Sequence, residues 1–263
     1  MTKDYTRLIQ NELARIEGEE GVRIVYACES GSRAWGFPSR DSDYDVRFIY
    51  IRPVEWYLSI TEKRDVIERP ISDMLDITGW DLRKALRLFR KSNPPLLEWL
   101  QSPAVYQETG SATEALRSLS PLTFSPRSCL YHYLNMARGN YRDYLQGDRV
   151  RLKKYFYVLR PILACEWIEK RNEMPPIAFE ELMRELLPPD SEVGMEVSGL
   201  LERKRAGEEL DSGLPLQAIN DYLEERIRYF GQTASDMPAV QEETEQQLDI
   251  LFRQLLTEAW QPD

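Results

Sequence analysis

The chain has 263 residues, 42% hydrophobic and 30% charged, enough for one large or two modest domains with real cores. Its net charge of −10 argues against indiscriminate nucleic-acid binding, three scattered cysteines exclude a disulfide framework, and a single histidine, His132, excludes a multi-histidine metal site. No apolar run approaches the ~18 residues of a membrane span, and the polar N-terminus lacks a secretory core, so a cytoplasmic, non-membrane protein is expected.

In chain order, Leu8, Ile9, Leu13 and Ile16 recur at helical spacing over 5–17, and Gly21 closes that helix. Residues 22–28 (VRIVYAC) read as a buried strand, 31–42 as a loop rich in Gly, Ser, Pro and Arg, and 43–51 (DYDVRFIYI) as a second, alternating strand. Residues 64–69 predict an edge strand stopped by Pro70, and 74–78 (MLDIT) a further short strand. From Gly79 the pattern turns helical, with Leu82, Ala85, Leu86 and Phe89 on one face. Asn93-Pro94-Pro95 breaks it before another short helix. After Ser125-Pro126 the remainder reads as successive helices, with Pro161 suggesting a kink or boundary. The expected class is α+β: a mixed α/β unit over 1–108, then an all-helical unit over 109–263.

The charge is uneven. Residues 161–263 carry 23 acids and 9 bases, whereas 127–160 carry eight bases against Asp143 and Asp148. A polyanionic ligand therefore remains compatible with an acidic chain, because phosphate recognition depends on the local field.

The most informative stretch is Gly31-Ser32, ten residues, then Asp43-Tyr44-Asp45. Side chains two apart on a strand share a face, so Asp43 and Asp45 can share a cation while Tyr44 and Val46 face a core. Gly31 allows close backbone approach to a phosphate, and the Ser32 hydroxyl and nearby amides can donate to it. An isolated Asp-x-Asp is more often a polar turn entering a strand. A calcium loop starting at Asp41 fails, because Val46 stands where it needs Gly and Arg52 where it needs Glu. Asp76, between Leu75 and Ile77, is the third carboxylate. Centred in an apolar strand, it needs a metal or a partner such as Arg47. Three carboxylates could clamp two Mg²⁺ ions, with Mn²⁺ as a substitute, and Asp76 could accept a proton from an attacking hydroxyl.

These residues, and the segments ACESGSRAWGFPSRDSDYDVRFIYIRP, LDITGWDLRKALRLFRKSNPPLLEWLQSP and RLKKYFYVLRPILACEW, resemble the DNA polymerase β-type nucleotidyltransferase superfamily. Within it they resemble the bacterial and phage RNA-repair-pathway DNA polymerase β family, over roughly residues 20–170. The resemblance implies a minimal nucleotidyltransferase mixed sheet with flanking helices, followed by a helical domain completing a nucleotide and acceptor cleft. It implies transfer of a nucleoside monophosphate from an NTP with release of pyrophosphate. Asp43, Asp45 and Asp76 are the expected catalytic and metal residues. Gly31, Ser32, Arg33 and Ser42 are expected at the nucleotide.

Lys153, Tyr157 and Arg160 follow i, i+4, i+7 spacing with Lys154 beside them, which predicts a triphosphate-binding stripe; a solvated basic face is the plainer alternative. Arg33 and Arg40 are candidates for triphosphate charge, and Glu29 for holding a metal or orienting Arg33. Lys204 is a weaker phosphate candidate. Trp35 is expected as a buried support of the loop, His132 as a core histidine and Cys28 as a buried thiol. An RNA 3′ end is the expected acceptor. Nucleotidylation of a protein or small molecule, and a non-catalytic nucleotide-binding module, are the alternatives.

Overall fold

The computed structural model describes residues 5–38, 42–70, 74–208, 210–239 and 244–261. The chain forms two compact units. The first comprises 1–34, 42–123 and 241–263; the second comprises 35–41 and 124–240. The chain thus leaves the first unit at 123, beyond the strand at 105–108, and its last helix returns to it.

The first unit runs α1 (Tyr5–Glu20), β1 (Arg23–Ser30), α2 (Gly31–Ala34), β2 (Tyr44–Ile51), α3 (Val54–Tyr57), β3 (Val66–Glu68), β4 (Leu75–Asp81), α4 (Leu82–Arg90), α5 (Pro94–Leu100), β5 (Val105–Glu108) and α6 (Ala112–Thr123). The second holds α7 (Pro126–Tyr144), α8 (Lys154–Arg171), α9 (Phe179–Leu186), α10 (Glu192–Arg205) and α11 (Gln217–Thr233). α12 (Glu245–Ala259) belongs to the first unit.

The sheet order is β3-β4-β2-β1-β5. β2 and β4 are parallel and the other pairs antiparallel. Alternation along β2 sends Val46, Phe48 and Tyr50 to one face, where they pack with Ile77 of β4 and with Ile9, Leu13 and Ile16 of α1. Each such side chain contributes roughly 1.5–3 kcal/mol on burial. Helices α4, α5 and α6 pack near the sheet with Leu82, Phe89, Leu96, Leu97 and Leu116 buried.

Two boundaries differ from the sequence reading. β4 continues past Gly79 to Asp81, because Gly79 pairs with Phe48 and leaves room for its ring, which would lie 2.1 Å from a Cβ there. The helix starts only at Leu82, where the Asp81 carboxylate accepts the Arg83 amide at 2.9 Å. Pro161 lies inside α8, which continues through it. In the second unit, α8 is buried along most of its length and is the centre of the helical core with Tyr141, Phe179, Val197, Leu200 and Leu223. Phe37 packs into that core against Phe156 and Phe179.

Candidate active site

The sheet register brings two of the predicted carboxylates together. Asp45 of β2 sits directly beside Asp76 of β4 in the parallel pair, and Ser30 lies opposite Asp45 on β1. Neighbours in register point to the same face, so Asp45 and Asp76 project together, away from the side that carries Val46 and Ile77. Asp43 precedes β2 and is exposed. Gly31 closes the other side of Asp45. Its φ is +60°, and a Cβ there would lie 2.2 Å from Asp45 Oδ2. This position needs glycine twice over, for its left-handed backbone and for the space that the carboxylate fills. Ser32 follows it in α2 and is buried.

Arg47 lies two residues along the same face. Its guanidinium bridges Asp45 Oδ1 at 3.1 Å and Asp76 Oδ2 at 2.8 Å, and also donates to the Asp76 carbonyl at 2.9 Å. The partner considered for Asp76 from sequence is therefore present, and it holds both aspartates. Burial raises the Asp45 carboxyl above its ordinary range; Arg47 opposes this, and the charges of Asp76 and Asp43 add to it.

Glu29 supports the same point from beneath. It is 1% exposed, accepts the Asp45 amide at 2.8 Å through Oε1, and accepts the Tyr106 hydroxyl through Oε2. Burial pushes its carboxyl up, with those two donors pulling the other way. Ser102 donates to the Glu29 carbonyl at 2.6 Å. Glu29 thus fixes the entry of β2 rather than the orientation of Arg33. Arg33 turns back on the loop: it donates to the carbonyls of Ser42 at 2.7 Å and Asp43 at 3.1 Å, and lies 3.7 Å over the Tyr44 ring. Tyr44 in turn stacks on Tyr5. Arg40, with Ser39 and Asp41, lies outside the described residues.

The donor set suits a hard divalent cation, since Asp43, Asp45 and Asp76 offer only carboxylate oxygens. Between Asp45 and Asp76 a guanidinium supplies one positive charge where such an ion would supply two. Among the described residues, no three acidic, imidazole or thiol groups are gathered closely enough to hold a metal together. Arg47 draws Asp45 and Asp76 to itself, and Asp43 stands outside the strand.

The predicted stripe of the second unit separates into different environments. Lys153 is not on the helix but caps it, and pairs with Asp211 at 2.9 Å. Lys154 lies 4.2 Å over Tyr144 and 4.6 Å over Tyr157, and burial with Lys153 and Arg151 nearby lowers its pKa. Tyr157 meets Trp35 edge-on. Arg160 is fully buried, 4.7 Å over Trp35, and donates to the Ile177 carbonyl at 3.4 Å. The helix α8 is enclosed on nearly all sides, and helical spacing alone does not tell an inner arginine from an outer one. Trp35 is half-buried against Phe37, Tyr157 and Arg160. Lys204 is buried over Phe37 and Phe156. Cys28 is buried, and burial pushes its thiol up to about 12, so it is no nucleophile.

The double role of Arg47 and the support from Glu29, Tyr106 and Ser102 went unread in the sequence. Arg47 continues the Asp43–Asp45 face at i+2, which was a usable signal. The Tyr106 partner on β5 comes from pairing across 77 residues of sequence and left none.

Comparison with known proteins places the chain in a family. The sequence profile of the RNA repair pathway DNA polymerase beta family matches residues 6–254. YcgL, an uncharacterized protein of Bacillus subtilis (strain 168), is 55% identical over 252 residues, 96% of each chain. A crystal structure of a nucleotidyltransferase-like protein from Exiguobacterium sibiricum 255-15 aligns with 87% of this chain and 77% of its own, at 14% identity and a TM-score of 0.33. With the profile covering nearly the whole chain, the protein belongs to the RNA repair pathway DNA polymerase beta family and is a nucleotidyltransferase of the polymerase β type.

Proposed function

We propose that the protein is a Mg²⁺-dependent enzyme that transfers a nucleoside monophosphate from an NTP to the 3′ hydroxyl of an RNA. The observation that carries this reading is the pairing of Asp45 with Asp76 in the parallel β2–β4 register, with Gly31 closed against Asp45. Asp43, Asp45 and Asp76 would hold the ions. Bound Mg²⁺ would neutralise phosphate charge and lower the pKa of the attacking hydroxyl.

The chain's own groups have separable tasks. Glu29 and Gly31 fix where the Asp45 carboxylate stands. Arg33 holds the loop closed through the Ser42 and Asp43 carbonyls, leaving the Gly31-Ser32 turn to receive phosphate oxygens. Asp76 takes the hydroxyl proton as the 3′ oxygen bonds to the α-phosphorus. The bond from that phosphorus to the bridging oxygen breaks, and pyrophosphate leaves. Support for RNA as acceptor comes from the family's own description and from the eight bases against two acids within 127–160.

The test is incubation of purified protein with Mg²⁺, each labelled NTP and a single-stranded RNA. Lengthened RNA and released pyrophosphate are expected, with EDTA, Asp45→Asn and Asp76→Asn each lowering the rate at least about 100-fold. Unlengthened RNA beside a labelled protein or metabolite would overturn the RNA acceptor and favour the reading in which another hydroxyl is nucleotidylated.

A further inference from the structure

At the opposite end of the sheet from Asp45 and Asp76, three cations converge on one aromatic ring. Trp56 of α3 is half-buried, and Arg52, Lys63 and Arg83 lie 5.8, 5.9 and 5.7 Å from its centroid. Tyr57 packs edge-on against it, and Arg83 covers that ring too at 5.3 Å. Arg83 opens α4, whose sequence LRKALRLFR has four bases and no acid, with Lys91 following. Arg83 and Arg87 stand at i and i+4 on one face of it, and Arg87 is exposed. Arg52 is held by Glu20, Lys84 by Asp65 and Arg90 by Glu245; Glu55 and Glu62 are the acids of the adjoining turn. Leu58 and Ile60, in the turn that follows Trp56, are exposed. Glu20 offsets Arg52 and Asp81 offsets Arg83, while Lys63 and Arg87 have no ion pair among the described residues. A partner offering both flat faces and regularly spaced anions satisfies ring and cations together.

We propose that Trp56, Lys63, Arg83 and Arg87 form a distal anchor for single-stranded RNA, with a base on Trp56 and phosphates along the start of α4. The proposal rests on the RNA-acceptor reading above and adds where the strand upstream of its 3′ end is held. The span supports it. Asp45 and Arg52 are seven residues apart along β2 and the residue that follows it, about 23 Å at ~3.3 Å each. That distance takes about seven stacked bases at ~3.4 Å. A stacked acceptor strand shorter than that does not reach both places.

The experiment measures fluorescence anisotropy of a labelled 12-nucleotide single-stranded RNA with the full chain, across a salt series. It also measures nucleotide addition to that RNA and to a 3-nucleotide acceptor. Trp56→Ala is expected to weaken 12-mer binding at least about five-fold, with Trp56→Phe restoring most of it. The Lys63→Gln, Arg83→Gln double variant is expected to flatten the slope of log Kd against log salt by about 1.4, at ~0.7 for each phosphate no longer neutralised. Addition to the 3-mer and the KM for NTP should stay at wild-type values. Unchanged 12-mer affinity and salt slope in these variants would overturn the anchor, as would poly-glutamate binding as tightly as RNA. RNA bound through Trp56 but never extended would sink the RNA-acceptor reading and leave the anchor standing. RNA extended equally well by wild type and variants, with equal KM for the 12-mer, would do the reverse.

Discussion

Replacing Gly31 by alanine tests the geometry of the site at its tightest point. Two costs arise there, and they can be measured apart. The first is the left-handed backbone at φ +60°, roughly 1–2 kcal/mol for a residue with a Cβ. The second is the collision with Asp45. Its Oδ2 would lie 2.2 Å from the new carbon, whereas ordinary contact begins at 3.4 Å, so the carboxylate must move by about 1.2 Å. A catalytic group misplaced by about that much costs on the order of 100-fold in rate. Gly21 supplies the control within the same unit: it has the same φ of +60° and no atom within 4 Å of a Cβ. Both variants should lose a few degrees of melting temperature. In a pyrophosphate-release assay at saturating NTP, Gly31→Ala should fall about 100-fold while Gly21→Ala stays within about two-fold of wild type. Equal rates for the two variants would refute the claim that Gly31 sets the Asp45 position.

Two further outcomes follow from the charges described above. Arg47→Gln removes the link between Asp45 and Asp76 and should cost about 1–3 kcal/mol without metal; millimolar Mg²⁺ should then raise its melting temperature more than that of wild type, and equal shifts would count against a cation site between those carboxylates. Lys204 is buried over Phe37 and Phe156, and its pKa is lowered by burial with Lys153 contributing. The unfolded chain therefore holds that proton more tightly, and this lysine makes stability rise as pH climbs through its folded pKa, levelling off near the unfolded value of ~10.4. Lys204→Met should raise stability at pH 7 by about 1–2 kcal/mol and flatten its rise toward pH 10 in urea titrations. A variant as pH-dependent as wild type would rule out Lys204 as the source.

What the sequence made legible is what depends on local alternation. Asp43 and Asp45 stood out by their Asp-x-Asp spacing after Gly31-Ser32 and Asp76 because it interrupts an apolar strand, and Val46 was placed in the core by the period of two. The edge position of residues 66–68 was readable because Pro70 follows them. The register that sets Asp45 beside Asp76 was not readable, since parallel pairing across 31 residues is fixed by the whole sheet. β5 is four residues long with no fully buried member, too weak a pattern to announce itself. The stripe on α8 shows a related limit. Spacing gives a face but not what covers it, and a guanidinium sheltered by Trp35 reads in sequence like one facing water.

The return of α12 to the first unit has a consequence in time. Its Phe252 packs edge-on against Tyr57, Glu258 accepts from the Ser111 amide and hydroxyl at 2.9 and 2.6 Å, and the Trp260 indole donates to the Arg52 carbonyl at 3.0 Å. All of these partners leave the ribosome before α12 does. About 120 residues separate the end of α6 from α12, some 6–24 s of synthesis at ~5–20 residues per second. Through that interval the surface meant for Leu248, Leu251 and Leu255 waits uncovered while the whole inserted helical unit is made. The sheet is synthesised well before the helix that completes its unit, so the addition of α12 acts as the closing step of that unit's folding.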